Sequence, residues 1–169
     1  MTLYDSNPVF DRLGELAECL CAQIQDPENG VPDVCFCGVV PGDQAVANYA
    51  GDCNDVCGMA WVRLVQMYPM AAIGQADATP GNCGVGVGID VEMGILRCIE
   101  FGDEQGNLPP PSVLLAATQL QIADALVMRK AIYCCDAIPS KEAMVAPYTP
   151  TGPLGGLVGG IMTVSMGTE

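Results

Sequence analysis

The chain contains no histidine. The side chain that most often serves as general base or metal ligand near neutral pH is therefore missing. Basic residues are nearly as scarce. Six Lys and Arg face twenty Asp and Glu, for a formal net charge of −14. A surface of that sign repels phosphate, which argues against sequence-independent binding of nucleic acid. The same Coulomb term disfavours an anionic membrane. Aromatics are few, with one Trp, three Phe and five Tyr, so the core must be aliphatic. No apolar run approaches the roughly 20 residues of a membrane span. The opening Met1-Thr2-Leu3-Tyr4-Asp5 lacks the basic and apolar regions of a targeting peptide. A protein made and folded in a cytoplasm is expected.

What is present suits one domain, 1–169. Half of the residues are hydrophobic, enough to bury a core without staples. Ten cysteines are dense for this length: Cys19, Cys21, Cys35, Cys37, Cys53, Cys57, Cys83, Cys98, Cys134 and Cys135. Three readings stay open. An even count points to disulfides, although a cytoplasm keeps thiols reduced. Free cysteines behave as small buried hydrophobes. Cys35, Cys37, Cys53 and Cys57 could form a four-thiolate zinc site, but their spacing is not that of a zinc knuckle. On a helix, Cys19 and Cys21 point about 200° apart.

Along the chain, 8–25 reads as a helix, with Val9, Leu13, Leu16, Leu20 and Ile24 at helical spacing. Asp26-Pro27-Glu28-Asn29-Gly30 ends it. Residues 34–40 and 59–68 read as strands, the second buried on both faces and stopped by Pro69. Between 85 and 100, Val85, Val87, Ile89, Val91, Met93 and Ile95 alternate with small or acidic residues. That period predicts either a strand reaching beyond the core to a neighbour, or one bent at Gly88 or Gly94. Ser112 is the expected N-cap of a helix at 113–134. Its buried stripe is Leu114, Ala117, Leu120, Ala123, Val127 and Ala131, widened by Leu115, Ile122 and Leu126. Arg129 and Lys130 suit its last turn. Strands at 143–148 and 161–166 flank a glycine-rich connection, 149–160. The expected class is α+β: a mainly antiparallel sheet with one long helix (113–134) and an N-terminal helix packed on it. Loops 41–57, 70–83 and 149–160 are the expected interfaces.

Site chemistry is thin. Asp90 and Glu92 share one strand face about 7 Å apart, as an acid/base pair would, but a solvated acidic face reads the same way. Asp52 with Asp55 is a similar pair, and with Asn54 a weak Ca²⁺ loop. The glycines of 149–160 lack the Lys and Ser/Thr that complete a phosphate-cradling loop. No catalytic, cofactor-binding or metal residue is assigned.

The motifs resemble those of a family. They are Cys35-Phe36-Cys37-Gly38-Val39-Val40-Pro41-Gly42, Cys57-Gly58-Met59-Ala60-Trp61-Val62-Arg63-Leu64, Gly81-Asn82-Cys83-Gly84, and Asp90-Val91-Glu92-Met93-Gly94-Ile95 with Arg97-Cys98. Gln119-Leu120-Gln121-Ile122-Ala123-Asp124 and Tyr148-Thr149-Pro150 with the glycine pairs that follow complete the set. From about Leu13 to Ser165 the chain resembles the neck proteins of siphophages of actinobacteria, called tail terminators or head-to-tail connectors. It departs from them at Leu157 and Met162, where that family often carries Cys and Trp. The resemblance implies a structural virion protein, made in the host cytoplasm, with no active site and no cofactor. It implies a ring, commonly a homo-hexamer, that ends tube polymerisation and joins tail to head. Its partners would be itself, the tail tube protein and a head connector or stopper, with DNA passing through unbound and no membrane. An acidic lumen would suit that passage. The alternatives are another neck ring, such as a stopper or adaptor, or a cysteine-rich metal-binding or redox module.

Overall fold

The computed structural model describes residues 7–42, 52–53, 56–76, 86–99, 109–136, 138 and 143–168. Helix α1, Pro8–Gln25, starts where Asn7 caps it by accepting the Val9 N–H at 3.0 Å, with Pro at the first turn. Its stripe of Val9, Leu13, Leu16, Ala17, Leu20 and Ile24 is buried, as the spacing predicts. Leu16 and Leu20 are fully buried, and each contributes roughly 1.5–3 kcal/mol. A short 3₁₀ turn at Pro27–Asn29 closes the helix, with Gly30 left-handed at φ 63°.

Among the described residues eight strands follow in one mostly antiparallel sheet. They are β1 (Phe36–Val39), β2 (Asp52–Cys53), β3 (Val56–Ala72), β4 (Gln75–Ala76), β5 (Val87–Cys98), β6 (Ala143–Val145), β7 (Thr149–Leu154) and β8 (Leu157–Gly167). The order is β1-β3-β5-β8-β6. β7 lies beside β6 along the outer edge of β8, and among the described strands only β1 runs parallel to its neighbour. Helix α2, Pro111–Tyr133, packs beside α1 on one face. Between helices and sheet lies the core, where Ala60, Val62, Ile89, Val91, Met93, Ile95, Met162, Val164 and Met166 meet both helices. The expected α+β class, with a long helix and an N-terminal helix on a mainly antiparallel sheet, is what forms.

Several local expectations need correction. β5 is not edge-prone. It is flanked along its length by β3 and β8, without a break at Gly88 or Gly94. The irregularity sits in β3 instead, between Leu64 and Gln66. β3 also passes through Pro69. There the proline needs no ladder donor, because the Met70 N–H bonds Gly86 O at 2.8 Å and β1 pairs only as far as Val62. A bulge and a proline thus blunt the part of β3 that β1 leaves uncovered. Nor is β3 buried on both faces throughout, since Val65 and Met67 are exposed.

Residues 149–160 are not a loop but most of a β-hairpin. Gly155 and Gly156, at φ 58° and 81°, are its two turn residues, and positive φ at both favours Gly-Gly. Gly159 serves close approach instead. A Cβ there would lie 1.9 Å from Ile95 O. Most of the expected interface loop at 41–57 lies outside the described residues, while 70–76 of the expected loop 70–83 is not a loop but the end of β3, a turn and β4.

α2 departs furthest. Pro110, not Ser112, precedes its first turn. Only Asp124, Val127, Met128, Ala131 and Ile132 are buried. Leu114, Leu115, Ile122 and Leu126 are 46%, 60%, 58% and 56% exposed. The cause is antiparallel packing. Lys130 bonds Asn29, just past the end of α1, so α1 covers only the last turns of α2. By length and composition alone α2 is apolar enough to cross a membrane, which corrects the expectation that no run is long enough; Thr118, Gln119, Gln121 and Asp124 interrupt the run without offsetting its apolar residues.

Candidate functional site: the open face of the sheet

The face of the sheet away from the helices carries the candidate pair Asp90 and Glu92. Period two places Asp90 and Glu92 there with Gly88 and Gly94. Cross-strand register brings Arg63 of β3 opposite Glu92. Arg63 grips that carboxylate with two charge-assisted bonds, Nε to Oε1 at 2.7 Å and Nη2 to Oε2 at 2.8 Å. Trp61, two residues earlier on the same face, donates Nε1–H to Oε1 at 3.1 Å. Glu92 is only 8% exposed, so the solvated face expected from sequence is wrong here. The charge is buried and paired.

Asp90 has its own donors. Gln66 Nε2 reaches Oδ2 at 2.7 Å and the Tyr68 hydroxyl reaches Oδ1 at 3.3 Å. The Tyr68 oxygen in turn accepts the Gly74 N–H at 3.0 Å. Burial first, then the Asp90 charge, pushes the Tyr68 phenol above its ordinary value. The two carboxylates are thus on one face, as the period predicts, but each acts as an acceptor holding β3 to β5.

The glycines explain the aromatics. A Cβ on Gly94 would lie 2.2 Å from the Trp61 ring, and one on Gly88 would lie 2.4 Å from the Tyr68 ring. Each indole or phenol covers a strand glycine and donates to the neighbouring acid. Gly94→Ala must displace the indole, so a loss of about 1–3 kcal/mol is expected. The chain has one Trp, so urea unfolding followed by Trp emission reads the loss, with a red shift of the native spectrum. An unchanged midpoint and spectrum would mean that the indole does not lie on Gly94.

On the helix side, Arg97 of β5 meets Asp124 of α2, both nearly fully buried. Nε and Nη2 reach the two carboxylate oxygens at 2.8 Å each, and Nη1 bonds Asp33 O at 3.1 Å. Burial raises the Asp124 pKa more than Arg97 lowers it. No periodicity marks this pair in the sequence, since Asp124 falls among apolar residues.

Eight cysteines pair: Cys19–Cys135, Cys21–Cys37, Cys35–Cys53 and Cys57–Cys98. Cys19 and Cys21 leave α1 in opposite directions, one to the end of α2 and one to β1, as their helical angle requires. Cys35, Cys37, Cys53 and Cys57 fall into three different pairs, so the four-thiolate zinc set is not assembled. Cys134 is free and exposed, and Cys83 lies outside the described residues. So do Asn54 and Asp55, which leaves the acid pair and Ca²⁺ loop built on Asp52 without described partners.

Among the described residues no group of three or more Cys, Asp or Glu is placed to hold a metal ion. What the arrangement does chemically is bind the sheet to itself. Its uncovered apolar surface lies elsewhere, on α2 and at the far end of the long strands. No protein-family model and no curated protein matches the chain.

Proposed function

We propose that the protein is a structural subunit of a phage neck that forms a ring at the head-proximal end of the tail tube, ends tube polymerisation and joins tail to head. The observation that carries the reading is the apolar tip of the sheet. β3 runs 17 residues, beyond the strand β1 beside it, and presents uncovered side chains with its neighbours. Met67 and Val87, on the helix side of the sheet, are 53% and 37% exposed, Val65 at the bulge is 45% exposed, and Met144 on the opposite face is 58% exposed. Apolar surface of this kind marks contact with another protein, and methionine adapts to surfaces of varied shape. A closed ring needs such a patch to meet a different patch on the next copy. Asp90 and Glu92 support a non-enzymatic role, because both are occupied by donors within the sheet. The outward Asp11, Glu15 and Glu18 of α1 fit a surface past which DNA slides unbound. Another neck ring, such as a stopper or adaptor, is the alternative, and it would use the same patch.

The test is native mass spectrometry with electron microscopy, without reductant, on the protein alone and with tubes of the cognate tail protein. A closed ring, hexameric by expectation, should sit on tube ends and halt their growth. Met67→Glu should abolish it while leaving the monomer folded, because Met67 is already exposed. A protein that ignores tubes at every ratio would overturn the reading, and bound zinc would favour a metal-binding module instead.

A further inference from the structure

We infer that the exposed face of α2 pairs two copies of this chain about a two-fold axis. Leu115, Gln119, Ile122, Leu126, Arg129 and Tyr133 are all exposed. They follow one another in alternating steps of four and three, the seam by which helices pack on helices. Arg129 lies over the Tyr133 ring at 5.8 Å, which places both on that face.

The occupant follows from the order of residues along the seam. Read from either end, it runs apolar, polar, apolar, apolar, polar, apolar. In an antiparallel pair centred at the level of Asp124, Leu115 meets Tyr133 of the second copy, Gln119 meets Arg129, and Ile122 meets Leu126. Every apolar side chain then faces an apolar one, and the one charge faces an amide that accepts its hydrogen bond. That is the self-complementarity an isologous contact requires. Antiparallel helices also oppose their dipoles.

Charge points the same way. At −14, two copies repel each other unless they meet through a neutral face. From 111 to 128 the only charged residue is Asp124, and it is buried against Arg97. The strip is about 35 Å long and about 10 Å wide. That is less than the roughly 800 Å² per partner of a stable complex, so a micromolar dimer is expected.

The inference does not rest on the neck-ring reading. A two-fold contact closes at two copies and does not propagate into a ring.

The test is sedimentation velocity of the full chain without reductant, from low to high micromolar concentration. The wild type should shift from 17.6 kDa to twice that mass. Ile122→Glu should raise the dissociation constant by roughly 100-fold, as should Leu126→Lys, with unchanged circular dichroism because both sites are exposed. The double variant I122E/L126K sets Glu opposite Lys at both crossings and should recover dimer, which a loss of fold would not allow. A wild type monomeric at every concentration would overturn the inference. So would an assembly unaffected by I122E, even if that assembly were a ring. So would wild-type binding to phosphatidylcholine vesicles that I122E abolishes, since the face would then be a lipid contact.

Discussion

A chain with both Cys19 and Cys135 replaced by serine is expected to lose roughly 4 kcal/mol of stability. The bridge joins residues 116 apart, from the middle of α1 to Cys135, two residues past the end of α2. The other three bridges lie within that span and shorten the loop it closes to roughly 50 residues. The helices stay together because Leu13, Leu16 and Leu20 of α1 and Met128, Ala131 and Ile132 of α2 share one buried core, so the fold itself should survive. For a chain of this length the thermal midpoint should fall by about 8–16 °C. Calorimetry without reductant reads it. Cys21→Ser with Cys37→Ser, which opens a separation of only 16, should cost less, roughly 3 kcal/mol. Equal losses from the two pairs would contradict the loop-closure account. Intact mass before and after reduction counts the bridges independently.

The second large effect is expected at Arg97. Arg97→Met leaves the Asp124 carboxylate buried without its partner. The cost should be about 3–5 kcal/mol at pH 7. The sign of the pH dependence follows from Asp124. Its folded pKa already lies above 3.8, because burial outweighs the help of Arg97. A group raised in the folded state gives its full contribution below the unfolded value, and loses it as pH rises through the folded value. Removing Arg97 removes the lowering influence and raises the folded value further. The gap between variant and wild type should therefore be small below pH 3.8 and widen toward neutrality. Urea midpoints at pH 3, 5 and 7 would show it. Arg97→Met combined with Asp124→Leu should recover most of the loss, because an apolar pair of similar volume carries no desolvation cost. A double variant as unstable as the single one would mean that the pair is needed for more than charge balance. The bond from Arg97 to Asp33 O would be the first place to look.

These two contacts mark how far the residues alone could be read. The α1 stripe was legible because a helix with one buried side repeats every three to four residues, and the chain obeys that rule from Val9 to Ile24. β5 was legible for the matching reason at period two. Its acidic and glycine face was visible too, but not its cause. Nothing local says that Gly94 is small because Trp61, 33 positions earlier, lies on it, or that Glu92 answers Arg63. Both follow from the register of β3 on β5, which depends on how the sheet assembles.

Composition and periodicity thus determined the class of the protein: an acidic, histidine-free α+β domain with an aliphatic core and two helices. Those properties are sums over residues or repeats along short stretches, and they need no partner. Tertiary structure alone decided which cysteines pair, which strand is central and how much of α2 is covered. An apolar helix face looks the same in sequence whether it meets α1, a second chain or water. Only the antiparallel packing of α1, which ends beside Lys130, leaves Leu115, Ile122 and Leu126 uncovered. Burial is a property of what arrives from elsewhere in the chain, and a local pattern does not contain it.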